Sequence, residues 1–387
     1  MRHPRLLSPS SRWLPLWVCF LLWGLPRSFS GACVPYVERF EGYSFLRPDL
    51  FLKNQEWTPY FLDFSRALQA RLRPEAEQER GNLEEWYERF CAEAPLEHIR
   101  QVVYASTERD LMELRTAVRN EKFPLPKTLK GNRFAQHLKR HQCTETVDYL
   151  LFAKRCEPYV TLREPWLQTL PQREAMHALI AEGRRKFLQT RSQYLRLRYA
   201  YQLVRLAHYA RDYEKALDLY DYLMPKIDPV ISRMEDSILP YWILGHKAGA
   251  LRALGRNVEA SYLYALIFGR CPSKRESAFR SFLIRSDEEW AECLRLCESD
   301  TERSFLYALR AHQRDAHAVE EMREIYALDP ASPFLEPLLA REIAKLERQL
   351  LGLEFNDKRA RNRRFGVPAD WAGPYVVEVQ LFAGQVA

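Results

Sequence analysis

The chain has 387 residues, 47% hydrophobic and 13% aromatic, with a formal net charge of +7. That apolar content can fill a core, which argues against global disorder. Sparse glycine (14 residues) and the near absence of valine-rich alternation argue against a β-sandwich or barrel.

The charge is concentrated at the N-terminus. Residues 1–30 hold Arg2, Arg5, Arg12 and Arg27 and no acid. Without them the excess of basic over acidic residues falls from seven to three. The remainder carries no electrostatic footprint for nucleic acid, so none is expected as a partner. Arg2 and Arg5 precede an apolar run of 13 residues, Trp13 to Leu25. A membrane-spanning helix needs about 20, so residues 1–32 read as a signal peptide rather than an anchor. Small residues follow at Ser28, Ser30, Gly31 and Ala32. Gly31-Ala32-Cys33 resembles the end of a bacterial lipobox, although Ser30 stands where leucine is usual. Two readings of Cys33 stand: simple cleavage near it, or its lipidation, which would tether the protein to a membrane without spanning it. Either makes the protein exported, to the periplasm or outer membrane, or secreted.

Residues 33–120 read as an aromatic-rich helical cap. An irregular start carries Trp57 and Tyr60, and helices follow over Asn82–Ala92, Leu96–Ala105 and Thr107 to about Asn120. Thr107 and Asp110 have the spacing of a helix-capping pair. Residues 121–172 read as a linker and helix pair, with breaks at Pro124, Pro126, Gly131, Pro165 and Pro171. The next segment carries Arg184, Arg185, Lys186, Arg191, Arg196 and Arg198, which reads as a solvated helix face.

A repeat then emerges. Ala216, Tyr220 and Leu223 are followed by Ala260, Tyr264 and Ile267, then by Ala318, Met322 and Ile325. Pro229, Pro272 and Pro330 lie twelve or thirteen residues beyond each alanine. Such spacing puts a small residue where two helices touch and bulky ones where helix pairs stack. Arg211 to Leu217 and the set Ala248, Leu251, Gly255, Ala260, Tyr264 and Pro272 resemble the tetratricopeptide family over about Leu197 to Pro330. Lys247 departs from that pattern. The alanines are 44 and 58 residues apart, against the family's ~34. The resemblance implies an all-α fold, an irregular tetratricopeptide-like α-solenoid of helix hairpins over residues 173–352. Ser286-Asp287-Glu288-Glu289 signals an added helix between units, running to Cys297. A second resemblance covers Arg198 to Tyr209 and Tyr241 to Arg275. These stretches are similar to a group of exported repeat proteins of Bacteroidota-type bacteria, and they imply fold and location only.

Residues 353–387 read as a tail: a basic run over Lys358–Arg364, a loop, then a short strand over Tyr375–Phe382. Cys143 and Cys156 read as a candidate disulfide, and Cys293 and Cys297 lie one helical turn apart. His137 and His141, with Cys143 nearby, offer half a metal site without a third ligand in register. No metal or other cofactor is therefore expected. The sequence contains no GxSxG elbow, P-loop, GxGxxG or CxxC, so no enzymatic chemistry is assigned.

Helical solenoids present extended binding surfaces, so the expected role is an interaction scaffold of the cell envelope with a protein or peptide partner. Tyr201, Arg205, His208 and Tyr209 are the candidate partner-binding residues. They are expected on an exposed groove, although tyrosine and histidine equally suit helix packing. The alternative is a glycan- or small-ligand-binding envelope protein, for which Trp57 and Tyr60 are the pointers.

Overall fold

The computed structural model describes residues 74–90, 94–160, 172–229, 237–313, 317–351 and 369–386. All belong to one compact unit, Phe40–Ala387. Among the described residues every regular element is helical.

The first five helices are α1 (Pro74–Phe90), α2 (Leu96–Arg100), α3 (Glu108–Arg119), α4 (Arg133–Arg140) and α5 (Thr144–Val160). Helix α2 continues into a π-turn over Gln101–Ala105. The next five are α6 (Arg173–Gln189), α7 (Gln193–Tyr209), α8 (Tyr213–Leu223), α9 (Leu239–Ala253) and α10 (Asn257–Arg270). The last six are α11 (Arg275–Ser281), α12 (Asp287–Arg295), α13 (Asp300–Ala311), α14 (Val319–Leu328), α15 (Leu335–Leu351) and α16 (Ala372–Val386).

Helix starts follow side-chain caps. Thr107 and Asp110 form a reciprocal box at α3, in which the Asp110 amide donates to Thr107 Oγ1 at 3.1 Å. Asn132, Ser192, Ser286 and Ser299 accept from backbone amides at the starts of α4, α7, α12 and α13. Each cap occupies a donor that the first turn leaves unpaired.

Three helices stop through one device. The second residue after the helix end takes a positive φ, and the next amide reaches back to a carbonyl five residues earlier. Gln142 (φ 48), Arg211 (φ 57) and Gly255 (φ 81) hold that position after α4, α7 and α9. The closing bonds are Cys143 to Leu138, Asp212 to Ala207 and Arg256 to Leu251, at 2.9–3.0 Å. Glycine suits the left-handed region; glutamine and arginine are strained there.

Tight turns join α7 to α8 and α9 to α10, and α13 pairs with α14. Ala216, Ala260 and Ala318 are buried at the base of the second helix of each pair. A methyl side chain there lets the two backbones approach closely. Between pairs, α7 and α8 both pack on α9, and α10 packs on α13. Helix α7 also contacts α5 and α6, so it runs through the middle of the first half. Two apolar clusters result, one from Leu83 to Ala250 and one from Tyr241 to Phe382, with Leu217 and Tyr220 packed against both.

Helix α1 ties these parts together. Glu85 accepts from Ser237 Oγ at 2.9 Å and from the Ile238 amide at 3.2 Å, just before α9. Gln78 Nε2 donates to the Ser273 carbonyl at 3.4 Å, in the 3-10 turn Pro272–Lys274. Arg198 stacks on Trp86 at 4.0 Å and donates to Asn82 Oδ1 at 2.9 Å and to Tyr194 Oη.

Four expectations need correction. Arg198 is 3% exposed and not on a solvated face, because α1 lies across it. The helix expected from Asn82 starts a full two turns earlier, at Pro74. Tyr375–Phe382 is helical: Ala372, Tyr375, Val379 and Phe382 recur at 3–4 residue spacing and are buried, and Tyr375 Oη donates to Glu342 Oε2 at 2.7 Å. A strand there would have had no ladder partner among the described residues. Cys143 and Cys156 are both free thiols. They stand at opposite ends of α5, and 13 residues at ~1.5 Å per residue separate them far beyond disulfide reach.

Candidate functional site

Helices α7 and α9 pack side by side and carry the notable polar cluster. Tyr201, Arg205, His208 and Tyr209 recur every three or four residues, so they share one face of α7. Trp242, His246 and Gly249 share a face of α9 by the same rule. The structure brings these two faces together. The Tyr201 ring lies 5.4 Å from Trp242 and 5.8 Å from His246, centre to centre. His208 and His246 are 5.2 Å apart, and Tyr209 is 6.0 Å from His246. Tyr213 of α8 closes one side, 5.7 Å from His208.

Gly249 makes the approach possible. A methyl group there would stand 2.5 Å from His208 Cε1 and 3.3 Å from Nδ1. The imidazole therefore points its Cε1 edge at the backbone of α9, a contact any larger residue would displace.

Two cations complete the seam. The Arg205 guanidinium sits 5.5 Å from the Tyr201 ring centre and 5.7 Å from that of Tyr209. Its Nη2 donates to the Val160 carbonyl at the end of α5, at 3.1 Å. Lys274, from the 3-10 turn, places its ammonium 5.5 Å from the Trp242 ring centre. These cation–π contacts orient both groups, yet no carboxylate among the described residues pairs with either.

The electrostatics follow. Burial pushes the Lys274 amine down to about 8, and the neighbouring Arg205 charge adds to that. Burial holds His246 well below the usual imidazole range, with His208, Arg205 and Lys274 acting in the same direction. Burial likewise lowers His208, against a hydrogen bond to the His246 backbone. His208 Nδ1 is buried without a hydrogen-bond partner. Tyr201 is pushed up to about 12 by burial, opposed by Arg205. Cys271 is raised by burial, so its thiol is a weak nucleophile. At neutral pH the seam holds two cations, two neutral imidazoles and three phenols. That set donates hydrogen bonds and stacks, and among the described residues it includes no carboxylate.

All four sequence-selected residues meet here, but they are half-buried and not on an open groove. Trp242, His246, Gly249 and Lys274 escaped the sequence reading. The 242–246–249 spacing mirrors 201–205–208, and that echo was the available signal. Lys274 had none, because its turn reaches the seam only through the packing of α10.

Elsewhere, His137 and His141 stack with centres 4.4 Å apart. No group of three metal-competent side chains occurs among the described residues. None of the described helices is long and apolar enough to cross a membrane. Cys33, Trp57, Tyr60 and the basic run Lys358–Arg364 lie outside the described residues. Comparison with protein-family models, curated proteins and solved structures finds no match for this chain.

Proposed function

We propose that the chain is an exported stack of helix hairpins of the tetratricopeptide type, acting as an interaction scaffold in the cell envelope. Its partner is a protein or peptide bound along the seam between α7 and α9. One observation carries this reading: Tyr201, Arg205, Tyr209 and His246 converge from two hairpins while remaining partly open to solvent. Core packing alone would favour apolar side chains there, since each half-buried polar group must be satisfied or hydrated. Rigid aromatics with a cation between them are the residue types that dominate binding energy at protein interfaces. Export rests on the leader: Arg2, Arg5, the apolar run and the small residues before Cys33.

The direct test is co-purification of the tagged chain from envelope fractions of its host after cross-linking. Arg205→Gln with Tyr209→Ala should abolish recovery of a stoichiometric partner while the helical circular dichroism is retained. Undiminished recovery by the folded double variant would contradict the assignment.

A further inference from the structure

The seam assembles more positive charge than the fold uses. Arg205 of α7 and Lys274 of the turn after α10 carry that charge beside the neutral His246 of α9, while His208 faces Gly249 across the helix pair. Arg205 and Lys274 are the cations acting on His246, and among the described residues no carboxylate is paired with either, an unfavourable arrangement for a half-buried place. The side chains around it are Tyr201, Arg205, His208 and Tyr209 from α7, Tyr213 from α8, Trp242 and His246 from α9, and Cys271 and Lys274 beyond α10. None is an acid. The other contacts are the Val160 carbonyl at Arg205 and α1, whose Gln78 holds the Ser273 carbonyl beside Lys274. Charges of one sign gathered in a half-buried place repel one another at several times the strength found in water. A fold keeps such a cluster most readily when a ligand of opposite sign occupies it.

We infer that the Arg205–His208–His246–Lys274 cluster binds a dianionic tetrahedral oxyanion, a phosphate or sulfate group carried by the bound partner. The inference rests on the partner-binding reading of the same seam. Arg205 and Lys274, both cationic at neutral pH, match two negative charges. Donors on three separate elements suit a tetrahedral group, whereas a planar carboxylate is best met by one guanidinium fork. The unpartnered His208 Nδ1 and the neutral imidazole of His246 supply further donors once protonated. Trp242, Tyr201 and Tyr209 wall the site, where desolvation strengthens each charge-assisted bond.

The test uses the isolated full-length chain and sodium sulfate, whose charge is constant over the working pH range. Titration calorimetry at fixed ionic strength should give saturable one-site binding. Affinity should strengthen several-fold as pH falls from about 8.5 to about 6, because Lys274 and the two histidines take up protons on binding. Lys274→Met keeps the side-chain length and should weaken sulfate at least tenfold; Arg205→Gln should do the same. Acetate should bind at least tenfold more weakly than sulfate. Absence of sulfate binding, or binding unchanged in both folded variants, overturns the inference. Acetate binding as tightly as sulfate overturns the dianion assignment. A partner whose capture is lost on Tyr209→Ala although sulfate does not bind the wild-type chain would leave the seam as a protein site and remove the oxyanion. Phosphorylated and sulfated forms of one peptide then separate the two sources by affinity.

Discussion

His208 and His246 stand with ring centres 5.2 Å apart on neighbouring helices, and among the described residues neither is ion-paired. Their closeness depends on Gly249, and their charge state depends on burial between two cations. Several consequences can be measured.

The first concerns pH. Both imidazoles ordinarily titrate near 6.5, and burial lowers both in the folded chain. Protonation therefore favours the unfolded state. Their effect on stability is absent above about pH 6.5 and becomes a loss as pH falls through that value. Urea midpoints should drop between about pH 7.5 and about 5.5, and His246→Gln should flatten the drop. An unaltered slope in His246→Gln would mean that the ring is not held neutral.

Lys274 gives the complementary effect at high pH. Its amine is lowered from 10.5 to about 8, so the folded state disfavours its charge. Stability gains from this group as pH rises from about 8 towards 10.5. Labelling with an amine reagent, followed by peptide mapping, should show a reactivity midpoint near 8 at Lys274. A midpoint near 10.5 would contradict its desolvated position.

Two glycines one turn apart on α9 should respond in opposite ways. At Gly245 an added methyl meets only Ile267 Cδ1, at 3.8 Å, an ordinary contact. Gly245→Ala should stabilise by about 0.5–1 kcal/mol through the lower entropy of the unfolded chain. At Gly249 the same methyl would strike the His208 ring. Overpacking costs about 1–3 kcal/mol, which outweighs the helix gain, so Gly249→Ala should destabilise. Thermal unfolding of both variants checks the ordering; equal behaviour would show that His208 moves away freely.

The helix-ending turns allow a similar comparison. Arg211 bears a positive φ that glycine tolerates and arginine does not. Arg211→Gly should stabilise by up to about 1 kcal/mol, and Gly255→Ala should cost about 1 kcal/mol. Chemical denaturation of the two variants measures both; a loss in Arg211→Gly would point to a role for its side chain.

The thiols supply a covalent check. Cys156, Cys271, Cys293 and Cys297 are buried, while Cys143 is half-buried. Burial pushes Cys156 and Cys293 up to about 12 and Cys297 up to about 11, which suppresses the thiolate. Native alkylation with mass mapping should label Cys143 ahead of the other four. A disulfide-linked Cys143–Cys156 peptide would contradict the geometry of α5.

The sequence revealed the helices wherever local signals stand alone. Thr107-Asp110, Ser286-Glu289 and Gly255 mark boundaries that the structure reproduces, because caps and left-handed turns depend on neighbours in the chain. The buried Ala216, Ala260 and Ala318 were likewise legible, since their spacing encodes helix contact. What depended on distant packing was hidden. Arg198 looks like any member of a basic face until Trp86 covers it, 112 positions earlier in the chain. The run Tyr375–Phe382 satisfies both an alternating and a helical pattern; contact with Glu342 selects the helix. At the candidate site, Tyr201, Arg205, His208 and Tyr209 were recognisable as one helix face. The cluster's charge was not, because Lys274 and His246 join it only through the packing of α9 and α10.

The most direct measurement places a photo-activated cross-linking residue at Tyr209 in the chain expressed in its own host, with Met112, exposed on α3, as control. The account predicts one discrete adduct from Tyr209, lost when Arg205→Gln is added, and none from Met112. No adduct at Tyr209, or the same adducts from both positions, would contradict a partner site between α7 and α9.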